Sequence, residues 1–197
     1  MPEVHDQKER VLSVEEEKRL LGAVTEDYKD IILFALNTGM RLGEILGLKW
    51  EWADLEESLI NLPQTHTKSK RSRKVPVNPV TRRILLERKL KSGGEEFIFK
   101  RESYYSLLGK LRRSFKEACN RAGITDLRFH DLRHTVGTRL GEEGVPIQTI
   151  SKPLRHTSTR MTERYVHPEE SVKKATDILA HFSNSVTDKL TDKEESQ

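Results

Sequence analysis

The segment YKDIILFALNTGMRLGEILGL, residues 28–48, decides the fold class. Its first half places Ile31, Ile32, Ala35 and Leu36 at helical spacing, which predicts a helix over about 28–38 with one inward stripe. Gly39 ends that helix, because glycine alone takes a left-handed backbone without penalty. Arg41-Leu42-Gly43-Glu44 then opens a third, short helix reaching about Leu48. Upstream, Ser13 with Glu16 forms a capping box and starts a helix through Leu20, Leu21 and Val24.

Downstream the period changes. Residues 58–62 and 74–77 alternate like strands, Phe97-Ile98-Phe99 reads as a third small strand, and 79–91 reads as a helix started by a proline. Helices follow at about 103–122, 130–143 and 146–153, with Gly123 and Gly144 at their ends. Ser158 can cap a short helix carrying Tyr165, and 169–182 is amphipathic through Val172, Ala175, Ile178, Leu179 and Phe182. Residues 187–197 are polar and expected to be disordered. The expected class is mainly α with a small antiparallel β-sheet (α+β).

Composition narrows the chemistry. Residues 1–167 hold 31 Lys or Arg against 24 Asp or Glu, whereas 168–197 hold 4 against 7. A basic body with an acidic tail fits a polyanionic partner, although a solvated charged surface fits as well. The single cysteine, Cys119, excludes an internal disulfide and a cysteine-built zinc site. No apolar run approaches the roughly 20 residues of a membrane span, and the first residues are polar and charged. The expectation is an intracellular protein.

Several residue types suit phosphodiester chemistry. His130 and Arg133 stand at i and i+3, one helix face, so one can exchange a proton while the other clamps phosphate. Arg41 stands at a helix start, where backbone N–H groups also favour an anion. Tyr165 carries a hydroxyl that becomes a nucleophile only with a base or cations nearby. His156 lies nine residues before it. Lys68 sits in a run of cations with Lys70, Arg71, Arg73 and Lys74, between the two strands. Taken singly, each has an ordinary structural reading: a capped helix start, a surface arginine held by Glu44, an interfacial tyrosine, a phosphate-contacting loop.

In this order and spacing the segments resemble the catalytic domain of the tyrosine recombinases, the phage-integrase family. Thr38 to Leu48 is similar to the first arginine box. Thr67-Lys68 through Val77 is similar to the catalytic-lysine hairpin. His130-Asp131-Leu132-Arg133-His134-Thr135 is similar to the His-x-x-Arg box, and Leu154 to His167 to the segment with the final His and the nucleophilic Tyr. The likeness runs from about Leu12 to Phe182.

The resemblance implies site-specific DNA recombination through a 3′-phosphotyrosyl link at Tyr165. Arg41 and Arg133 would hold the non-bridging oxygens, with His156 as a third donor. Lys68 would be the general acid, His130 would support proton transfer, and Glu44 would orient its neighbours. Lys70, Arg71, Arg73, Lys74 and Arg155 would contact DNA. It implies no metal and no cofactor. Its partners would be duplex DNA, further copies of the chain in a tetramer with C-terminal helix exchange, and accessory DNA-bending or directionality proteins. The setting would be cytoplasmic and nucleoid-associated. Expected boundaries are an arm at 1–11, a catalytic domain at 12–184 and a tail at 185–197, with the family's usual N-terminal DNA-clamp domain absent. Arg155 departs from the pattern, since the family commonly has Gly before the final His; Arg disfavours the left-handed turn that Gly permits. A type IB topoisomerase-like relaxation activity and a non-catalytic DNA-binding module are the rival readings.

Overall fold

Helix α2 (Glu26–Thr38) forms the centre of the molecule because its apolar residues face more than one side. Ile31, Ile32, Phe34, Ala35 and Leu36 are all buried, so neighbours pack around it rather than on one stripe. The computed structural model describes residues 10–67, 72–99 and 103–154. Around α2 stand α1 (Val14–Ala23), α3 (Leu42–Leu46), α4 (Pro79–Lys91), α5 (Tyr104–Arg121), α6 (Asp131–Glu142) and α7 (Ile147–Leu154).

The local grammar explains the boundaries. Ser13 Oγ accepts from the Glu16 amide while Glu16 reaches back to the Ser13 amide, closing the capping box at α1. Asn78 and Ser103 cap α4 and α5 in the same way, each accepting an amide three residues on. Gly39 ends α2 with φ +61°, a left-handed conformation that reverses the chain toward α3. Phe34 meets Phe99 edge-on at 5.7 Å, which ties α2 to the loop after α4. Cys119 is buried in α5, as its apolar spacing requires.

The sheet is antiparallel, in the order β1 (Ala53–Asp54), β2 (Leu59–Leu62), β3 (Arg73–Pro76). Its register pairs Ile60 with Val75 and Leu62 with Arg73. Ile60, Leu62 and Val75 are buried on one face, so the period of two directs Lys74 outward and Arg73 inward.

The third strand differs from expectation. It is Ala53–Asp54, while Phe97 makes only an isolated bridge to Lys49. The Phe97 segment zips instead onto the end of the first arginine box: Ile98 N–H donates to Leu48 O at 2.9 Å and Trp50 N–H to Glu96 O at 3.1 Å. The helices expected at 103–122, 130–143 and 146–153 agree with α5, α6 and α7 within a residue or two. Residues 1–9 of the arm expected at 1–11, the helix carrying Tyr165, the helix at 169–182 and the tail lie outside the described residues. Among the described residues no helix is long and apolar enough to cross a membrane.

The chain start is clasped to α6. Leu12 N–H donates to Thr135 Oγ1 at 2.9 Å, Thr135 Oγ1 donates to Asp131 O at 2.9 Å, and Arg139 Nη2 donates to Leu12 O at 3.2 Å. Arg139 also pairs with Glu17 at 2.7 Å, so α1 is tied to α6 by an ion pair.

Candidate active site

The two arginine segments, remote in sequence, converge at the C-terminus of α2. Arg133 on α6 is 4% exposed, and its Nη1 donates to the main-chain oxygen of Gly39. A guanidinium is a rigid fork, so fixing one nitrogen sets the plane of the others. The left-handed turn at Gly39 thus does two jobs: it aims its carbonyl at Arg133 and starts the chain toward Arg41. A Cβ at position 39 would stand 2.7 Å from Leu154 Cδ2 on α7, so the turn is also where α2, α6 and α7 press together.

Arg41 is the N-cap of α3 with an extended backbone. Glu44 returns to it, its Oε2 accepting the Arg41 amide at 3.0 Å and its Oε1 lying 3.5 Å from Arg41 Nη1. The Arg41 side chain is 30% exposed, so it is oriented by Glu44 yet open to a ligand.

His130 begins α6 and faces the same cavity as Arg133, a space of about 410 Å³ lined also by Met40, Leu42, Leu111, Arg112, Phe115, Arg128 and Phe129. Burial of part of its ring lowers the His130 pKa below the ordinary imidazole value, helped by His134, Arg133 and Arg41. The His134 ring is 5.2 Å away and nearly perpendicular. A neutral imidazole beside two guanidinium groups can accept a proton, which a charged one cannot.

Asp131 holds the turn before α6. It is fully buried and accepts from the Arg128 amide at 2.7 Å, from Arg128 Nε at 3.3 Å and from Nη2 at 3.1 Å.

Arg73, expected to contact DNA, is turned inward in this structure. Its side chain is 8% exposed and its Nη2 donates to Glu44 Oε2 at 2.6 Å. The strand period turns it inward with Val75, and the buried carboxylate of Glu44 captures it. Lys74 is exposed on the outer face, as a phosphate contact requires. Arg41, Glu44, His130 and Arg133 are therefore brought together or linked through one another, while Lys68, Lys70, Arg71, Arg155, His156 and Tyr165 lie outside the described residues. Sequence reasoning passed over Arg112, which lines the cavity from α5, and His134, which stands against His130. The i, i+4 spacing of the two histidines was the available signal for the second; for Arg112 the helix pattern shows exposure but not what it faces.

Comparison with known proteins bears on family and fold. Residues 10–172 match the profile of the phage integrase family. The chain is 30% identical over 198 residues to the integrase of Salmonella phage P22, covering 94% of this chain and 51% of that protein. It is 34% identical over 172 residues to a shufflon-specific DNA recombinase of Escherichia coli, covering 84% of this chain and 42% of that one. The chain thus spans about half the length, or less, of these curated relatives. Among solved structures, XerA recombinase superposes with a TM-score of 0.64 at 26% identity, over 86% of this chain and 63% of that one. The catalytic domain of bacteriophage HP1 integrase gives 0.61 at 25%, over 83% of this chain and 93% of that one. The Tn1549 transposon integrase in complex with circular intermediate DNA gives 0.68 at 20%, over 88% of this chain and 67% of that one, a likeness of fold. The matched profile covers most of the sequence and the curated relatives share about a third of its residues: the chain belongs to the phage integrase family.

Proposed function

We propose that this chain is the catalytic part of a site-specific recombinase that cuts and rejoins duplex DNA through a covalent bond to Tyr165. The observation that carries the reading is the convergence of Arg133 and Arg41 on either side of Gly39, with His130 facing the same cavity as Arg133.

In the reaction, the Tyr165 oxygen attacks the scissile phosphorus as its proton passes to His130. The bond from phosphorus to the 5′-oxygen breaks, and that oxygen takes a proton from Lys68. The product is a 3′-phosphotyrosyl bond and a free 5′-hydroxyl. Rejoining runs the same steps backward with a new 5′-hydroxyl, so the phosphodiester energy stays in the covalent bond. Arg133 and Arg41 hold the non-bridging oxygens while negative charge builds on them, which is where fixed donors accelerate most. Arg133 suits this because its Gly39 contact fixes the fork. Arg41 suits it because its tie to Glu44 is long, at 3.5 Å, and leaves hydrogen-bonding capacity for phosphate. His156 adds a donor. Lys70, Arg71, Lys74 and Arg155 contact backbone phosphates, and copies of the chain act together on two duplexes.

The test is a covalent protein–DNA adduct on a denaturing gel, formed with supercoiled plasmid at low salt, where phosphate contacts are strongest. The parent chain gives an adduct and Tyr165→Phe gives none. Adduct formation by the Phe variant at the parent's level overturns the assignment of the nucleophile. DNA binding by both proteins with an adduct from neither favours the non-catalytic binding module.

A further inference from the structure

Two arginines share one buried carboxylate, and they share it unequally. Glu44 is 4% exposed; its Oε2 takes Arg73 Nη2 at 2.6 Å, whereas its Oε1 lies 3.5 Å from Arg41 Nη1. The first distance is that of a strong charge-assisted hydrogen bond, and the second is at the outer limit of one. Burial follows the same order: the Arg73 side chain is 8% exposed and the Arg41 side chain 30%. The arginine held tightly is thus the one turned away from solvent, and the one held loosely is open to a ligand.

Glu44 itself is fixed in place. Its main-chain oxygen lies 3.0 Å from His66 Nε2. A carbonyl oxygen only accepts, so that ring nitrogen carries the proton. The ring leans on Trp52, with ring centres 4.8 Å apart, and lies over Gly47, where any Cβ would overlap it. Glu44 Oε2 also accepts the Arg41 amide at 3.0 Å and so caps α3. Arg73 reaches the same oxygen because the register that pairs it with Leu62 turns it inward beside Val75. The carboxylate is therefore delivered to one spot, between two cations that approach from β3 and from the start of α3.

A buried carboxylate that loses its cation is strongly destabilised, so it takes another cation within reach. Among the described residues, Arg41 is the other cation at Glu44. We infer that Arg73 is a positioning residue for Arg41: by holding the Glu44 carboxylate it keeps that carboxylate from closing on the Arg41 guanidinium, which stays available to phosphate. The consequence for the reaction rests on the proposed role of Arg41 as a donor to the non-bridging oxygens. Glu44 orients Arg41 through the backbone amide, and Arg73 absorbs the charge that would otherwise capture the side chain.

Two measurements on the full chain test it. The first, without DNA, follows the guanidinium NMR signals of Arg41 in protein isotope-labelled at arginine, assigned by their loss in Arg41→Lys. Arg73→Met shifts these signals and slows rotation of the guanidinium, as a tight pair with a carboxylate does. Adding Glu44→Gln returns them toward the parent. Gln still accepts the Arg41 amide, so α3 keeps its cap while the charge is gone. Where Arg73→Met does not fold, Arg73→Gln, which removes the charge and keeps a donor, is read in its place. Unchanged Arg41 signals in a folded Arg73 variant overturn the inference, whatever the chain does to DNA. The second measurement is the rate of adduct formation. Arg73→Met slows it on the order of tenfold, short of the roughly hundredfold or greater loss from deleting a fixed donor, because Arg41 is redirected and not removed. Glu44→Gln in that background restores most of the rate, although Glu44→Gln alone lowers the melting temperature by leaving Arg73 buried without its acid. A double variant as slow as Arg73→Met overturns the competition for Arg41. So does weaker DNA binding with a shallower salt dependence that Glu44→Gln does not restore, which makes Arg73 a phosphate contact. Arg41 signals that shift and recover while the adduct rate stays at the parent value support the competition and overturn Arg41 as a phosphate donor. If the parent forms no adduct, the proposed function falls and the arginine signals alone judge the inference.

Discussion

Replacing Gly39 with alanine tests the convergence of the arginine segments at its most constrained point. The backbone there has φ +61°, and an L-residue held in that region costs about 1–2 kcal/mol. The added methyl also stands 2.7 Å from Leu154 Cδ2 and 3.5 Å from Val136 Cγ1. Leu154 is fully buried, so it has no solvent to retreat into, and overpacking of this kind costs about 1–3 kcal/mol. The combined loss is about 3.5 kcal/mol, taking the middle of both ranges. For a domain of this size each kcal/mol shifts the melting temperature by about 2–4 °C, so thermal unfolding followed by circular dichroism should show a fall of about 7–14 °C. Strain and overlap separate in a double-mutant cycle with Leu154→Ala. That change alone costs about 2–5 kcal/mol, but in the Gly39→Ala background the new methyl occupies freed space, giving a favourable coupling of about 1 kcal/mol or more. A Gly39→Ala protein melting within about 1 °C of the parent refutes both the strain and the packing argument. Since the Gly39 carbonyl receives Arg133, the same variant should form the covalent adduct more slowly even where it remains folded.

Two further outcomes follow from buried polar contacts. Thr135→Val removes the acceptor of the Leu12 amide and the donor to Asp131 O, both within the interior, and should lower stability by about 1–3 kcal/mol in urea unfolding; Thr135→Ser, which keeps the hydroxyl, should recover most of it. The His130 ring should titrate below its ordinary value in ring-proton NMR, and His134→Asn should move it upward by removing one repelling neighbour. Because the folded state of His130 binds its proton less readily than the unfolded state, its effect on stability is absent at neutral pH. Stability is lost as the pH falls from the ordinary imidazole value of about 6.5 through the lower folded one. A midpoint at or above the ordinary value removes the argument for a neutral proton acceptor.

The helices were legible where stop and start signals accompany the apolar period. Ser13 with Glu16 and Gly39 after Thr38 each satisfy backbone groups locally, and local chemistry is what a sequence displays. The two-residue strand Ala53–Asp54 has no period to read, whereas Phe97-Ile98-Phe99 has strand composition but finds its partners in Lys49 and Leu48 outside the sheet. At the site, the resemblance pointed to Arg41, His130 and Arg133, whose segments the structure brings together, but what holds them was not legible. The acceptor for Arg133 is a main-chain oxygen 94 residues away, which no side-chain pattern reveals. The inward placement of Arg73 was not legible because it belongs to a run of cations. Its alternation with Val75 carried the correct direction, and the buried acid that makes an inward arginine tolerable lies 29 residues upstream.

The clasp between the chain start and α6 has a consequence for synthesis. Thr135 receives the Leu12 amide across 123 residues, and Arg139 reaches Leu12 O across 127. On a ribosome the first helices emerge long before their partner exists, and contacts this distant in sequence close late. The Arg133 fork cannot find the Gly39 carbonyl until α6 has left the exit tunnel. A nascent chain therefore carries Arg41 without its partner, and the two arginine segments meet at Gly39 only after residues through α6 have emerged.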